Sequence, residues 1–218
     1  MTHRLVVGLA RHEGTRVDLA RELAALPEPL RESAPPSRQE HRLAAYIASR
    51  RLLLETLKLL PSGCQPTDSA SHLLRRGAGF PFWSVSHTQG MVACAWSTAG
   101  PCGVDLEKAD RPVQAEKVIR RYFSAEEQAW LATLPERERK ARFLDLWTRK
   151  EAVIKALGVG IAGHLAAIVF APEQLNPVSI PAGHADEPPA VAVFRPEGDY
   201  LAVAWQGSSN VSLIRSGF

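Results

Sequence analysis

Cysteine is scarce in this chain, with three in 218 residues (Cys64, Cys94, Cys102) and no CxxC among them. An odd number at such spacing builds neither a disulfide framework nor a zinc ribbon, and it suits a reducing compartment. Aromatics are few, at 7%, and the charge excess is small, at +3. A nucleic-acid-binding domain would carry a basic stripe with interleaved aromatics, so no nucleic-acid partner is expected. Long apolar runs are missing too. The longest stretch without Asp, Glu, Lys or Arg, from Gly77 to Val104, contains His87, Gln89, prolines and several Ser, Thr and Gly residues. It does not read as a membrane helix. The apolar run between Arg4 and Arg11 is too short for a signal peptide. A cytoplasmic protein without membrane association is the expectation.

What is present is ordinary globular composition, 45% hydrophobic and 22% charged, long enough for one large domain or two lobes of roughly 100 residues. A helix is written from about Arg38 to Leu60. Ser37 and Glu40 form an S-x-x-E capping box, and Pro61 and Gly63 end the segment. Its apolar stripe is Leu43, Tyr46, Ile47, Leu53, Leu54 and Leu57. Arg50 lies on the same stripe, where its stem could snorkel to solvent or its guanidinium could reach an anion site. Trp83–His87 and Met91–Trp96 follow, the second reading as a buried strand. A turn at Ala99–Gly103 precedes a strand starting at Val104. A second capping box, Ser124 with Glu127, opens a helix to about Leu134. Pro135 suits the first position of another helix, which runs to about Leu157 and stops at Gly158. Further strands are expected at Ala167–Phe170, Ala190–Phe194, Tyr200–Trp205 and Val211–Ile214. The segment Ala171–Pro189 holds five prolines and reads as loop. MVACAW at 91–96 weakly echoes YLAVAW at 200–205, as duplication or chance would produce.

Three features carry chemistry. In Gly103-Val104-Asp105-Leu106-Glu107-Lys108, residues two apart on a strand share a face, so Asp105 and Glu107 project together. Paired hard oxygens suit Mg²⁺, though an edge strand with solvated acids reads the same way. In Trp147–Gly158, Glu151 and Lys155 are four apart on a helix. They form either a surface ion pair or part of a phosphate and metal site. In Ser84-Val85-Ser86-His87-Thr88, hydroxyls around a histidine in a loop between strands could bind phosphate. A Ser–His nucleophile is disfavoured by the lack of a G-x-S-x-G elbow.

The joint order S-V-S-H, G-V-D-L-E-K, F-S-x-x-E, W-T-R-K-E-A-x-x-K-A-x-G resembles the 4′-phosphopantetheinyl transferases of the two-lobed Sfp type, from about Arg42 to Gly160. The resemblance implies an α/β (α+β) fold of two similar lobes related by pseudo-twofold symmetry, residues 1–102 and 103–218, with the active site in the cleft between them. It implies a monomer that moves the phosphopantetheine arm of coenzyme A to a serine of an acyl or peptidyl carrier protein, releasing adenosine 3′,5′-bisphosphate. Asp105, Glu107 and Glu151 would hold Mg²⁺, with Glu151 also the general base. Lys155 would steady the diphosphate and the leaving phosphate. Arg50, Ser86, His87 and Lys150 would contact coenzyme A, and Trp147 would seat the helix. Two departures stand out. Many relatives carry a basic residue where Gly79-Phe80-Pro81 has Phe80, a contribution Arg75 or Arg76 could replace, and Thr88 stands where serine is frequent. Carrier proteins are acidic, so a +3 catalyst would attract them, with Arg120 and Arg121 able to contribute. A Mg²⁺ nuclease would need lysine two residues after a strand acid, which Lys108 does not provide. A non-catalytic binding module should have lost Asp105, Glu151 or Lys155.

Overall fold

The computed structural model describes residues 3–12, 16–36, 38–74, 80–161, 163–172, 174, 176–207 and 211–216. Their contacts divide the chain into two units: one holds everything up to Gly100 together with the last strand, the other Pro101–Ser209.

In the first unit, β1 (His3–Arg11) is followed by α1 (Arg16–Ala24), α2 (Glu28–Glu32), α3 (Glu40–Leu57) and α4 (Ser69–Leu74). The hairpin of β2 (Phe82–Thr88) and β3 (Met91–Ser97) completes the run. β1 pairs antiparallel with β3 on one side. α3 lies on β3 and β1, joining Leu43, Ile47, Leu53 and Leu57 to Val6, Val92, Cys94 and Trp96 in one core. The buried Trp96 indole is satisfied within it, donating to Leu53 O at 3.2 Å and Thr56 Oγ1 at 3.2 Å. Burial of Cys94 raises its thiol pKa to about 12, so it packs as an apolar side chain. The expected α3 capping box falls on Ser37, which lies outside the described residues. Gln39 is the N-cap, without a side-chain cap bond, and Glu40 is already helical. Ser84–Thr88, expected as a loop around a histidine, is strand.

In the second unit, β4 (Cys102–Glu107) precedes α5 (Ala115–Tyr122), α6 (Ala125–Ala132) and α7 (Glu136–Leu157). Then come β5 (Ala190–Phe194) and β6 (Tyr200–Trp205). The sheet order is β4-β6-β5, antiparallel throughout, and α7 packs on β4 and β6. The capping box at Ser124 and Glu127 is formed as read. Pro135 serves as the N-cap of α7 rather than its first helical residue, and Gly158 ends the helix at φ 68°.

Two expectations need correction. No strand forms over Ala167–Phe170: a 3₁₀ turn spans Leu165–Ala167, and one bridge joins Val169 to Ser179. The reason is chemical. The Leu165 and Ile168 carbonyls accept from Lys150, and the Phe170 N–H donates to Glu127, so side chains take the groups a ladder would need. The second correction concerns the division at 102/103. The last strand, β7 (Val211–Ser216), pairs in parallel with β1, so the first unit's sheet runs β2-β3-β1-β7. The chain's end therefore returns to the first unit instead of extending the second.

Candidate active site

Gly103, Asp105 and Glu107 occupy alternate positions of β4 and face α7. A Cβ on Gly103 would stand 2.0 Å from Ala152 O and 2.6 Å from Ala156 N. Only glycine lets the helix backbone lie this close. Four helical residues rise about 6 Å and two strand residues about 6.6 Å, so the two repeats stay nearly in step. Trp147, Glu151 and Lys155 thus run alongside Glu107, Asp105 and Gly103.

The contacts follow that register. The Lys155 ammonium donates to Asp105 Oδ1 at 2.9 Å and to Val104 O at 2.9 Å. The Trp147 indole N–H donates to Glu107 Oε1 at 3.0 Å, and Arg111 forms an ion pair with the same oxygen. The Trp147 ring is held by Phe143 and Tyr122, with centroids 6.3 and 5.8 Å away. Asp105, Glu107 and Glu151 are all buried.

Burial dominates the electrostatics. It pushes the Glu151 carboxyl up to about 7, helped by the negative charge of Asp105, opposed by Lys155, and helped again by Glu107. Glu107 is also raised, first by burial and then by Asp105, against the lowering influence of Arg111 and Trp147. Two carboxyls whose neighbours resist their ionisation form a region that attracts a cation.

Among the described residues, no three His, Cys, Asp or Glu side chains are gathered into a metal-coordinating cluster. Basic side chains hold two of the candidate acids, Lys155 on Asp105 and Arg111 on Glu107. The donor set itself fits Mg²⁺, being made of hard carboxylate oxygens whose mutual repulsion a dication would relieve.

Asp105, Glu107, Glu151 and Lys155 are thus brought together on β4 and α7. Lys150 is not, and its expected contact with coenzyme A is corrected. Its side chain is 0% exposed and turned away from β4. The ammonium meets Glu127 Oε2 at 2.7 Å, donates to Leu165 O at 3.0 Å and to Ile168 O, and lies 4.9 Å from the Phe123 ring centroid. Burial lowers its pKa while Glu127 raises it. All three hydrogens have acceptors inside the protein, leaving none for a ligand.

Arg50, Ser86 and His87 belong to the first unit. Ser86 is buried on β2 and His87 is exposed near the end of that strand. Arg50 is only 6% exposed, its guanidinium 4.7 Å from the Tyr46 ring centroid and 5.4 Å from that of Trp83. It does not snorkel. Arg75, Arg76 and Gly79 lie outside the described residues, and Phe80 is exposed.

Sequence reasoning missed three contributors. Gly103 was visible as the first residue of GVDLE, but its contact with α7 is a tertiary fact. Arg111 comes from a segment with no helical or strand pattern to aim it. Glu127 showed only its capping role, while its second oxygen and its place beside Lys150 are set by α7.

The family model of the 4′-phosphopantetheinyl transferase superfamily matches residues 101–201. The 4′-phosphopantetheinyl transferase AcpT of Salmonella typhi is 35% identical over 138 residues, a match covering 61% of this chain and 67% of that protein. A candidate 4′-phosphopantetheinyl transferase of Synechocystis sp., slr0495, is 29% identical over 180 residues, covering 78% of this chain and 73% of its own. Sfp of Bacillus subtilis, a 4′-phosphopantetheinyl transferase, is 29% identical over 118 residues, covering 54% and 51%. The solved holo-[acyl-carrier-protein] synthase of Thermotoga maritima aligns with 50% of this chain and 65% of its own at a TM-score of 0.39 and 22% identity, a likeness too slight to carry weight.

Proposed function

This chain belongs to the 4′-phosphopantetheinyl transferase superfamily and is an enzyme of that kind, and from that premise we propose that it transfers the phosphopantetheine arm of coenzyme A to a serine hydroxyl of an acyl or peptidyl carrier protein. The serine oxygen attacks the phosphorus that bears the pantetheine arm. The bridging P–O bond breaks, and adenosine 3′,5′-bisphosphate leaves with the electron pair. The serine proton passes to Glu151.

One observation carries this reading: β4 and α7 set Glu151 and Lys155 beside Asp105 and Glu107, with Lys155 Nζ 2.9 Å from Asp105 Oδ1. The nucleophile belongs to the partner, so the enzyme supplies a proton acceptor, a fixed cation and orientation. Glu151, with its carboxyl raised to about 7, holds a proton-accepting group near neutral pH. Lys155 carries positive charge toward the diphosphate and the leaving phosphate. Asp105, Glu107 and Glu151 would hold Mg²⁺, which when bound neutralises charge on the diphosphate. Ser86, His87 and Arg50 are assigned to the phosphates of coenzyme A on motif resemblance.

The test is to incubate the protein with coenzyme A, Mg²⁺ and a panel of apo carrier proteins, following carrier mass. A carrier should gain the mass of one phosphopantetheine arm, and the gain should vanish with EDTA and in Glu151→Gln. Full activity in Glu151→Gln overturns the base, and full activity in EDTA overturns the metal. No gain on any carrier overturns the transfer itself.

A further inference from the structure

Lys150 precedes Glu151 on α7, yet its side chain leaves the helix about 100° around the axis from the Trp147–Glu151–Lys155 stripe. Its partners come from two other parts of the second unit. Glu127 Oε2 also accepts from Ser124 N at 2.9 Å, and Glu127 Oε1 accepts from Phe170 N at 3.0 Å. A single buried ion pair therefore ties together the start of α6, the 165–170 segment and α7, and each of its polar groups is satisfied. Such a saturated buried network is rigid. It is a poor source of stability, because desolvating two charges opposes folding and an apolar pair of similar volume often does as well.

We propose that the Lys150–Glu127 pair fixes the rotation of α7 about its own axis and so places the Glu151 carboxylate; both are positioning residues. The inference rests on reading Glu151 as the base. Gly103 allows α7 to come close to β4, but closeness does not set rotation. The stripe against β4 and the Lys150 anchor hold the helix from directions about 100° apart, and together they do. A rotation of about 20° would carry a carboxylate ~6 Å from the axis through about 2 Å. Misplacement on that scale costs on the order of 100-fold in rate.

The deciding experiment uses the full chain with the paired substitutions Glu127→Gln and Lys150→Met. Lys150→Met alone would leave Glu127 buried without a counter-ion and fold poorly. The pair removes both charges, while the glutamine introduced in place of Glu127 keeps a side-chain oxygen to accept from an N–H. The paired variant should melt within a few degrees of the parent and keep KM for coenzyme A and for the carrier within about threefold, while kcat falls about 10- to 100-fold. A folded variant with unchanged kcat overturns the proposal, as does a loss of activity that tracks a fall in melting temperature. Glu151→Gln run beside it separates the two readings. If it is inactive and the paired variant fully active, only the positioning role falls. If Glu151→Gln keeps full activity, the base and its positioning fall together.

Discussion

Glu151 carries a pH signature separate from its proposed role as the base. Burial and the charge of Asp105 raise its carboxyl to about 7 in the folded protein, against about 4.3 for an unperturbed Glu. Between those values the folded state binds more protons than the unfolded, so this group's contribution to stability falls as pH rises from about 4.5 to 7. Glu151→Gln abolishes the dependence. In EDTA, the variant should gain on the parent across that window by on the order of 2 kcal/mol, discounted for solvent screening, and no further above it. Urea melts of both proteins at pH 5, 6, 7 and 8 measure this; a constant difference would refute the assignment. Trp147 offers a second residue-scale test. Trp147→Phe keeps an aromatic ring among Phe143 and Tyr122 but deletes the N–H donated to Glu107. A loss of about 1 kcal/mol in urea unfolding is expected, the size of one hydrogen bond.

Among the described residues, each unit has a helix laid on a sheet over a glycine. Gly8 lies under α3, where a Cβ would meet Thr56 Cγ2 at 2.7 Å and Cys94 Sγ at 2.9 Å. Gly103 lies under α7, where it would meet backbone. Side-chain atoms can give way and helix backbone cannot, so Gly103→Ala should cost more than Gly8→Ala, about 3 kcal/mol or more against 1–2. Urea denaturation of the two variants checks the order. Gly103→Ala should also abolish carrier modification, because Glu151 and Lys155 ride on the helix it displaces. The echo between MVACAW and YLAVAW fits this scheme, since β3 and β6 are each an inner strand between two neighbours. Elements with caps and a clear period were legible in the sequence: α6 from Ser124 and Glu127, the end of α7 from Gly158, and the facing of Asp105 and Glu107 from period-two spacing. The contact of Lys150 with coenzyme A came from the motif resemblance, which matches a residue type but does not give the side chain's neighbours. Ala167–Phe170 was misread because apolar residues there suggest a strand, while the Ile168 carbonyl bonds to Lys150 and the Phe170 N–H to Glu127.

At the scale of the whole chain, the return of β7 to β1 escaped the sequence for a plain reason. Strand 211–216 reads as a strand, but its partner is nearly the full chain away, and local pattern cannot choose between a nearby edge and a distant one. The pairing gives each unit its own dependence on the C-terminus. β1 sits between β3 and β7, so removing residues 208–218 would leave one edge of β1 unpaired from His3 to Gly8, including the uncharged apolar run Leu5-Val6-Val7-Gly8. Such an edge invites pairing with another chain. The second unit's sheet, β4-β6-β5, and its helix α7 lie wholly within Pro101–Ser209 and lose no pairing. Hydrogen exchange on the truncated protein should therefore show faster exchange in β1 and β3, with β4, β6 and α7 protected as in the full chain, and the truncated protein should self-associate at concentrations where the full chain does not. Equal loss of protection in both sets of strands would mean that the two units unfold as one, and unchanged protection in β1 would mean that the terminal strand contributes nothing to its sheet.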